Sequence, residues 1–236
     1  MYGLFIGRFN DNVLHRHYAL QISVTSQGTF EITDENNNKT FHKNCFINSN
    51  VRHQFRSNEI SLIILINPLS SIGHQLYNKF GNSQITTLNE ELNRLSDIFT
   101  DYLRNSLSFV ELIKNISNYL MDFKCECEQE NHFADDRIYK AIQYLEQNFD
   151  RIVSLEEIAR FSFLSETRFL HLFKEKTNLN FRRYQLWNKL IKSLPYLKDN
   201  SITETAYQFG FTDSSHYTRT FKETFGLTPK ILLLKE

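Results

Sequence analysis

Two histidines stand two residues apart in HRHYALQISVTSQG (15–28), with Gln21 four places after His17 and Gly28 seven after that. Residues i and i+2 of a strand face the same side, so the imidazoles of His15 and His17 converge. Imidazole nitrogen suits Zn, Cu, Fe or Ni, and the amide oxygen of Gln21 would add an uncharged donor. The same side chains would equally line a small-molecule pocket or serve as hydrogen-bonded strand residues. Cys125 and Cys127 could chelate a soft metal, but no second pair follows at metal-site spacing, and two ordinary thiols in a linker is the simpler reading. With Cys45 the cysteines number three, an odd count that fits a reducing compartment better than a disulfide framework.

The elements that must position these groups follow from periodicity. Residues 1 to about 80 read as β. LQISVTSQGTFEITDE (20–35) alternates apolar and polar residues around Gln27-Gly28, the pattern of a hairpin. KTFHKNCFINSNVRHQF and ISLIILIN supply further strands, with DENNNK as a loop, so a sandwich or barrel is expected. NPLSSIGHQL (67–76) matches no catalytic pattern. The period then turns helical. Leu88, Leu92, Leu95, Phe99 and Tyr102 form a heptad seam, and Phe109, Leu112, Ile116, Tyr119 and Phe123 form a second stripe. Such stripes either cover the β domain or face a second copy of the chain.

CECEQENHFADD (125–136) breaks the apolar pattern, which puts a boundary there. The expected organisation is a β domain over 1–82, a helical coupling and dimerisation segment over 83–124, a linker over 125–136 and an all-helical domain over 137–236. This helical part opens with a stripe of Ile138, Ile142, Leu145 and Phe149. Ser154 followed by Glu157 reads as a capping box starting one helix, and Ser165 as the cap of the next, which buries Phe169, Leu172 and Phe173. Two short helices joined by a tight turn, the second exposing Thr167, Arg168, His171 and Lys174, have the arithmetic of a helix-turn-helix.

The plan then repeats. Ser201 with Glu204 is again a capping box, Ala206 matches Ala159, and Gly210 offers a positive-φ turn that the first copy must make without glycine. Asp213 or Ser214 caps a helix that buries Tyr217 and Phe221 and exposes Ser215, His216, Thr218, Arg219 and Lys222. FLHLFKEKT and YTRTFKETF align as internal copies. Between the copies, NFRRYQLWNKLIKSLPYL (180–197) is long enough for a rigid connecting helix, and two reading heads on successive major-groove segments need a separation of roughly 34 Å.

These residues resemble the AraC/XylS transcriptional regulators over about 100 C-terminal residues: SLEEIA to FKEKT, Tyr184 with Lys189-Leu190, SITETAYQFGF and RTFKETFGLTP. Asn178, Lys189 and Ser193 stand where that family usually has glycine, arginine and alanine. The resemblance implies an α+β protein with a C-terminal pair of helix-turn-helix units that bind double-stranded DNA. It implies base contacts from Thr167, Leu170 and His171 in the first unit and from Ser215, Thr218 and Arg219 in the second. Arg219 is the best candidate for base readout, since a guanidinium pairs bidentately with guanine. Lys174, Lys222 and the helix N-termini fall to phosphates.

The first half resembles a cupin, HRHYALQISVTSQG matching its first motif with Gln21 in the acidic place, and NSNVRH (48–53) matching its second through His53. A cupin-like barrel with a helical linker is therefore expected, with His15, His17, Gln21 and His53 as the tentative ligand site or, less readily, a divalent metal site. No cofactor is otherwise implied. The leading expectation is a DNA-binding regulator, not an enzyme, whose cupin-like domain senses a small-molecule effector or mediates homodimerisation; activation would add RNA polymerase as a partner, though no motif identifies the contacts. A cupin metalloenzyme with an appended DNA-binding module, and a constitutive regulator whose β half only dimerises, are the alternatives.

Composition agrees with this class. At 41% hydrophobic and 23% charged residues the chain is no disordered polymer. Its net charge of zero excludes a wholly basic nucleic-acid coat, yet residues 133–236 hold 16 Lys and Arg against 13 Asp and Glu. The cationic surplus thus falls on the half expected to bind DNA. The N-terminus MYGLFIGRFND lacks the basic start and unbroken apolar run of a signal peptide, and no stretch has the length of a membrane span, so a cytoplasmic protein without a membrane partner is expected.

Overall fold

The computed structural model describes residues 2–88, 90–127, 135–148, 151–177 and 179–232. Phe149, Asn178 and most of the expected linker, 128–134, lie outside them. The chain gathers into two compact units: Met1–Cys125 together with Thr218–Leu234, and Glu126–Tyr217 together with Lys235–Glu236.

The first unit is a seven-stranded antiparallel, barrel-like sheet. Its strands are β1 (Tyr2–Phe9), β2 (Leu20–Thr25), β3 (Phe30–Asp34), β4 (Lys39–His42), β5 (Asn44–Ile47), β6 (His53–Ile66) and β7 (Ile85–Thr87). The 14-residue β6 pairs with β1, β2 and β3. The expected β2–β3 hairpin does not form. β2 meets β6 from Ile66 to Ser61 and β3 then meets it from Arg56 to His53, so the chain carries on along β6 instead of doubling back. β7 pairs with β5, which extends the sheet past residue 82.

Every residue of β6 from Ser61 to Ile66 is buried, because both faces of this stretch are covered. Leu62, Ile64 and Ile66 join Leu20, Ile22, Val24 and Phe46 in a core with three helices: α1 (Ser71–Phe80), α2 (Asn93–Leu103) and α3 (Phe109–Met121). Leu95, Phe99, Leu112 and Ile116 are fully buried there, so the two stripes cover the sheet. Full burial of each such side chain is worth about 1.5–3 kcal/mol. The seam is not one helix, however. Leu88 follows β7 and Leu92 is the residue preceding α2, both reaching the same core from irregular backbone. α1 falls within NPLSSIGHQL, where Ser70 caps it by accepting from the Gly73 amide.

The second unit is helical: α4 (Asp136–Gln147), α5 (Leu155–Phe161), α6 (Glu166–Thr177), α7 (Phe181–Leu197), α8 (Ile202–Gln208) and the first residues of α9 (Ser214–Phe225). Phe169 and Phe173 of α6 pack edge-on against Phe181 of α7 at 5.2 and 5.4 Å between ring centroids. No helix among the described residues is long and apolar enough to cross a membrane.

Candidate DNA-reading helices and the histidine cluster

Each reading helix starts at a side-chain cap. Ser165 Oγ accepts from the Arg168 amide at 3.3 Å, and Asp213 Oδ1 accepts from the His216 amide at 2.7 Å, which makes Asp213, and not Ser214, the second cap. The supporting helices differ from each other. α8 has the complete box, Ser201 Oγ accepting from the Glu204 amide while Glu204 accepts from the Ser201 amide. In α5 only half of it forms, because Glu157 turns away to Arg151 (2.9 Å) and to the Tyr144 hydroxyl (2.6 Å). These two partners hold the Glu157 carboxyl down to about 2.

The two turns repeat bond for bond. Leu164 N–H donates to Ala159 C=O and Phe163 N–H to Arg160 C=O; Phe211 N–H donates to Ala206 C=O and Gly210 N–H to Tyr207 C=O. Gly210 has φ +69°, and in the first copy Phe163 takes the same left-handed conformation at φ +57°. Lys189 Nζ donates to the Gly210 carbonyl at 3.3 Å, and Ser193 Oγ lies 2.7 Å from the Tyr217 hydroxyl. The two polar departures in the connector therefore hold the second turn and helix in place.

Thr167, Arg168, His171 and Lys174 are exposed on α6 and Leu170 is half-buried beside them. On α9 Ser215, Arg219 and Lys222 are exposed, and His216 and Thr218 are half-exposed. His216 is tied to its own turn, its Nδ1 2.7 Å from Thr212 Oγ1 and its ring against Phe211. Arg219 forms no ion pair with Glu223 among the described residues.

In the barrel the structure brings His15, His17 and His53 together, all buried, with one ring nitrogen from each within 4.8 Å of the others. Each Nδ1 faces a backbone carbonyl: Val13 at 2.8 Å, Ala19 at 2.9 Å and Val51 at 3.0 Å. A carbonyl only accepts, so each neutral ring carries its proton on Nδ1 and has Nε2 as its acceptor nitrogen. Burial favours the neutral forms, holding His15 down to about 3 and His53 well below its ordinary value, with the neighbouring histidines adding to the effect on both. Gln21 Oε1 lies 2.9 Å from His17 Nε2 and 3.3 Å from His53 Nε2, while its Nε2 donates to Ser23. Acceptor therefore faces acceptor at the centre. A divalent cation resolves this conflict, and so does the Gln21 amide turned over to donate. Three imidazoles fixed through Nδ1 to carbonyls, plus an oxygen, fit the donor set and outer-shell pattern of a transition metal site.

Spacing alone could not single out Asn12 as a neighbour of this cluster. It lines the adjoining cavity, and its Oδ1 is buried without a hydrogen-bond partner among the described residues. That cavity measures about 10 Å³, room for one water-sized occupant and not for an organic effector.

Comparison with known proteins agrees with this geometry. A family profile described as a helix-turn-helix domain matches residues 158–233, which span both helix pairs. The chain is 23% identical over 225 residues to the probable transcriptional regulator LumQ of Photobacterium leiognathi, covering 91% of this chain and 89% of that protein. It is 26% identical over 192 residues to the transcriptional activator RhaS of Mannheimia succiniciproducens, covering 80% and 68%. Residues 158–233 thus carry a helix-turn-helix domain, in a chain similar along most of its length to transcriptional regulators. ToxT from Vibrio cholerae has the same two-part fold at 16% identity, with a TM-score of 0.63 over 99% of this chain and 98% of ToxT. ToxT has also been solved with an unsaturated fatty acid bound, in a form that matches at a TM-score of 0.57 and 16% identity.

Proposed function

We propose that this AraC-type regulator reads two successive major-groove segments of double-stranded DNA with α6 and α9, as a homodimer whose affinity responds to an effector. The observation that carries the reading is the exact repetition of turn bonds ahead of two capped helices, each with a polar outer row. Arg219 reads a guanine in this scheme, with Ser215 and Thr218 beside it. Thr167, Leu170 and His171 read bases in the first unit, and Lys174 and Lys222 hold phosphates, with Arg168 and His216 at the edges. The solved likeness to ToxT, one form of which holds a fatty acid, supports responsiveness to a small molecule. Relatives named as transcriptional regulators support a non-enzymatic role; in this scheme the protein acts in the cytoplasm and RNA polymerase is its partner in activation.

The test is selection of bound duplexes from a randomised pool by the full chain at one stated salt concentration. Two short elements about ten base pairs apart should emerge. Arg219→Ala should then lose preference at a single position, a discrimination of about 1–3 kcal/mol. Lys222→Ala should weaken all sequences alike and flatten the salt slope by about one unit. Equal weakening of every sequence by Arg219→Ala would remove it from base readout.

A further inference from the structure

We propose that a cavity in the helical unit, walled by α7 and the end of α8, binds a small phosphate monoester and thereby secures the turn that leads into α9. The inference rests on the regulator reading and names the class of its effector.

The cavity measures about 300 Å³, at the small end of the roughly 300–1,000 Å³ that small-molecule sites occupy. Its walls come from three stretches of one compact unit, within 145–153, 185–192 and 207–210. Arg151, Lys189 and Lys192 bring positive charge, and among the described residues no Asp or Glu lines it. Arg151 is spent on Glu157. Lys189 is half-buried and forms no ion pair among the described residues. Its ammonium meets the Gly210 carbonyl at 3.3 Å and the Phe211 ring, 5.8 Å from the centroid, which offer partial charges alone. Burial disfavours its charge and holds its pKa below the ordinary lysine value. An anion in the cavity would supply what this ammonium lacks.

Charge selects the occupant. Lys192 lies three residues beyond Lys189, over the same face of α7. Two ammonium groups side by side match a phosphate monoester, of charge about −1.5 to −2 near neutral pH, better than a carboxylate with one charge. Asn188 and Gln208 add amides that both donate and accept, and Ile152 and Phe209 add apolar wall, which together suit a small hydroxyl-bearing body. Lysine has three donors, so Lys189 can keep the Gly210 carbonyl and turn the others to phosphate oxygens. Gly210 is the close point of the wall: a Cβ there would lie 2.9 Å from Ile152 Cδ1 and 3.4 Å from Lys189 Nζ. Occupancy therefore clamps the residue whose positive φ makes the turn. By reciprocity, whatever factor the ligand adds to DNA binding through that turn, DNA adds to the ligand's affinity.

Ribose phosphate, glycerol phosphate, inorganic phosphate and plain ribose, titrated separately into the full chain without DNA, test the site by calorimetry and amide hydrogen exchange. One ester per chain is expected, the better of the two bound at least tenfold tighter than inorganic phosphate, with no binding of ribose. Exchange should slow at Gly210 and Phe211, whose amides close the turn. Lys189→Gln should lower ester affinity at least tenfold, and Lys189→Arg should restore most of it. Because Lys189→Gln also gives up the lysine's bond to Gly210, Asn188→Asp is the second variant; it is isosteric and leaves that bond in place, and its carboxylate should repel the ester at least tenfold. Binding that survives both Lys189→Gln and Asn188→Asp lies elsewhere, on the lysines assigned to DNA, and overturns the site. A folded wild-type chain that binds no phosphate compound at tens of millimolar overturns it too, and equal affinity for ester and inorganic phosphate overturns the ester. Ester bound with unchanged exchange at Gly210 overturns the coupling. DNA selection by the ligand-free chain decides the regulator reading independently, so the two failures are separable.

Discussion

Phe163 shows at a single residue how a repeated device can be built from the wrong side chain. It is 93% exposed, so its ring contributes almost no burial, and it occupies the left-handed conformation that its counterpart Gly210 fills. A non-glycine residue there costs roughly 1–2 kcal/mol, against about 0.5–1 kcal/mol for the extra chain entropy of glycine. Phe163→Gly should therefore stabilise the protein by about 0.5–1 kcal/mol, read as a raised urea midpoint at constant m-value. A lowered midpoint would mean that the exposed ring is held by something the turn geometry does not show. The positive φ itself was legible beforehand, since the repeat aligns the two turns and shows the glycine missing from one.

At the scale of elements, the connector α7 and the proposed reading helix α9 are joined by a buried pair, Ser193 Oγ and Tyr217 Oη. Burial also pushes the Tyr217 phenol up to about 12. Ser193→Ala should cost about 1–2 kcal/mol through loss of this bond. Combined with Tyr217→Phe it should cost clearly less than the two single changes added together, and strict additivity in the double-mutant cycle would dissolve the pair. Element types were largely readable from the sequence and partners were not. The alternation in LQISVTSQGTFEITDE is the same whether β2 and β3 pair with each other or both follow β6, because a period of two records faces and says nothing of neighbours. Leu88 and Leu92 kept heptad spacing without helix because the core asks only that they reach it. Glu157 satisfied the spacing of a capping box, but Arg151, six residues before it, offered a charged partner. The convergence of His15, His17 and His53 was legible once strand geometry was granted. The approach of Asn12 and Gly226 was not, since it joins positions more than two hundred residues apart.

For the whole molecule, the outer face of α3 bears on the proposed self-association. Leu112, Ile116, Tyr119 and Leu120 of α3 are spent on the sheet, whereas Phe109, Val110 and Met121 remain exposed at 45%, 75% and 53%. If the homodimer uses this remaining face, Val110→Asp should weaken self-association at least tenfold in sedimentation equilibrium while leaving thermal stability of the monomer nearly unchanged. A monomeric wild-type chain at tens of micromolar would instead assign the face to another partner.

The division of the chain also bears on how it is made. The barrel unit is discontinuous, Met1–Cys125 and Thr218–Leu234 with the helical residues between them. β6 draws its partners from residues 2 to 34, so this sheet is rich in non-local pairings, which are slow to form, whereas the intervening helices fold through near neighbours. During synthesis the sheet can pair long before its closing segment leaves the ribosome. The last wall of the histidine cavity, Phe225 and Leu227, is thus added after the others, as a separate kinetic step, and in that interval the nascent barrel stands open to water.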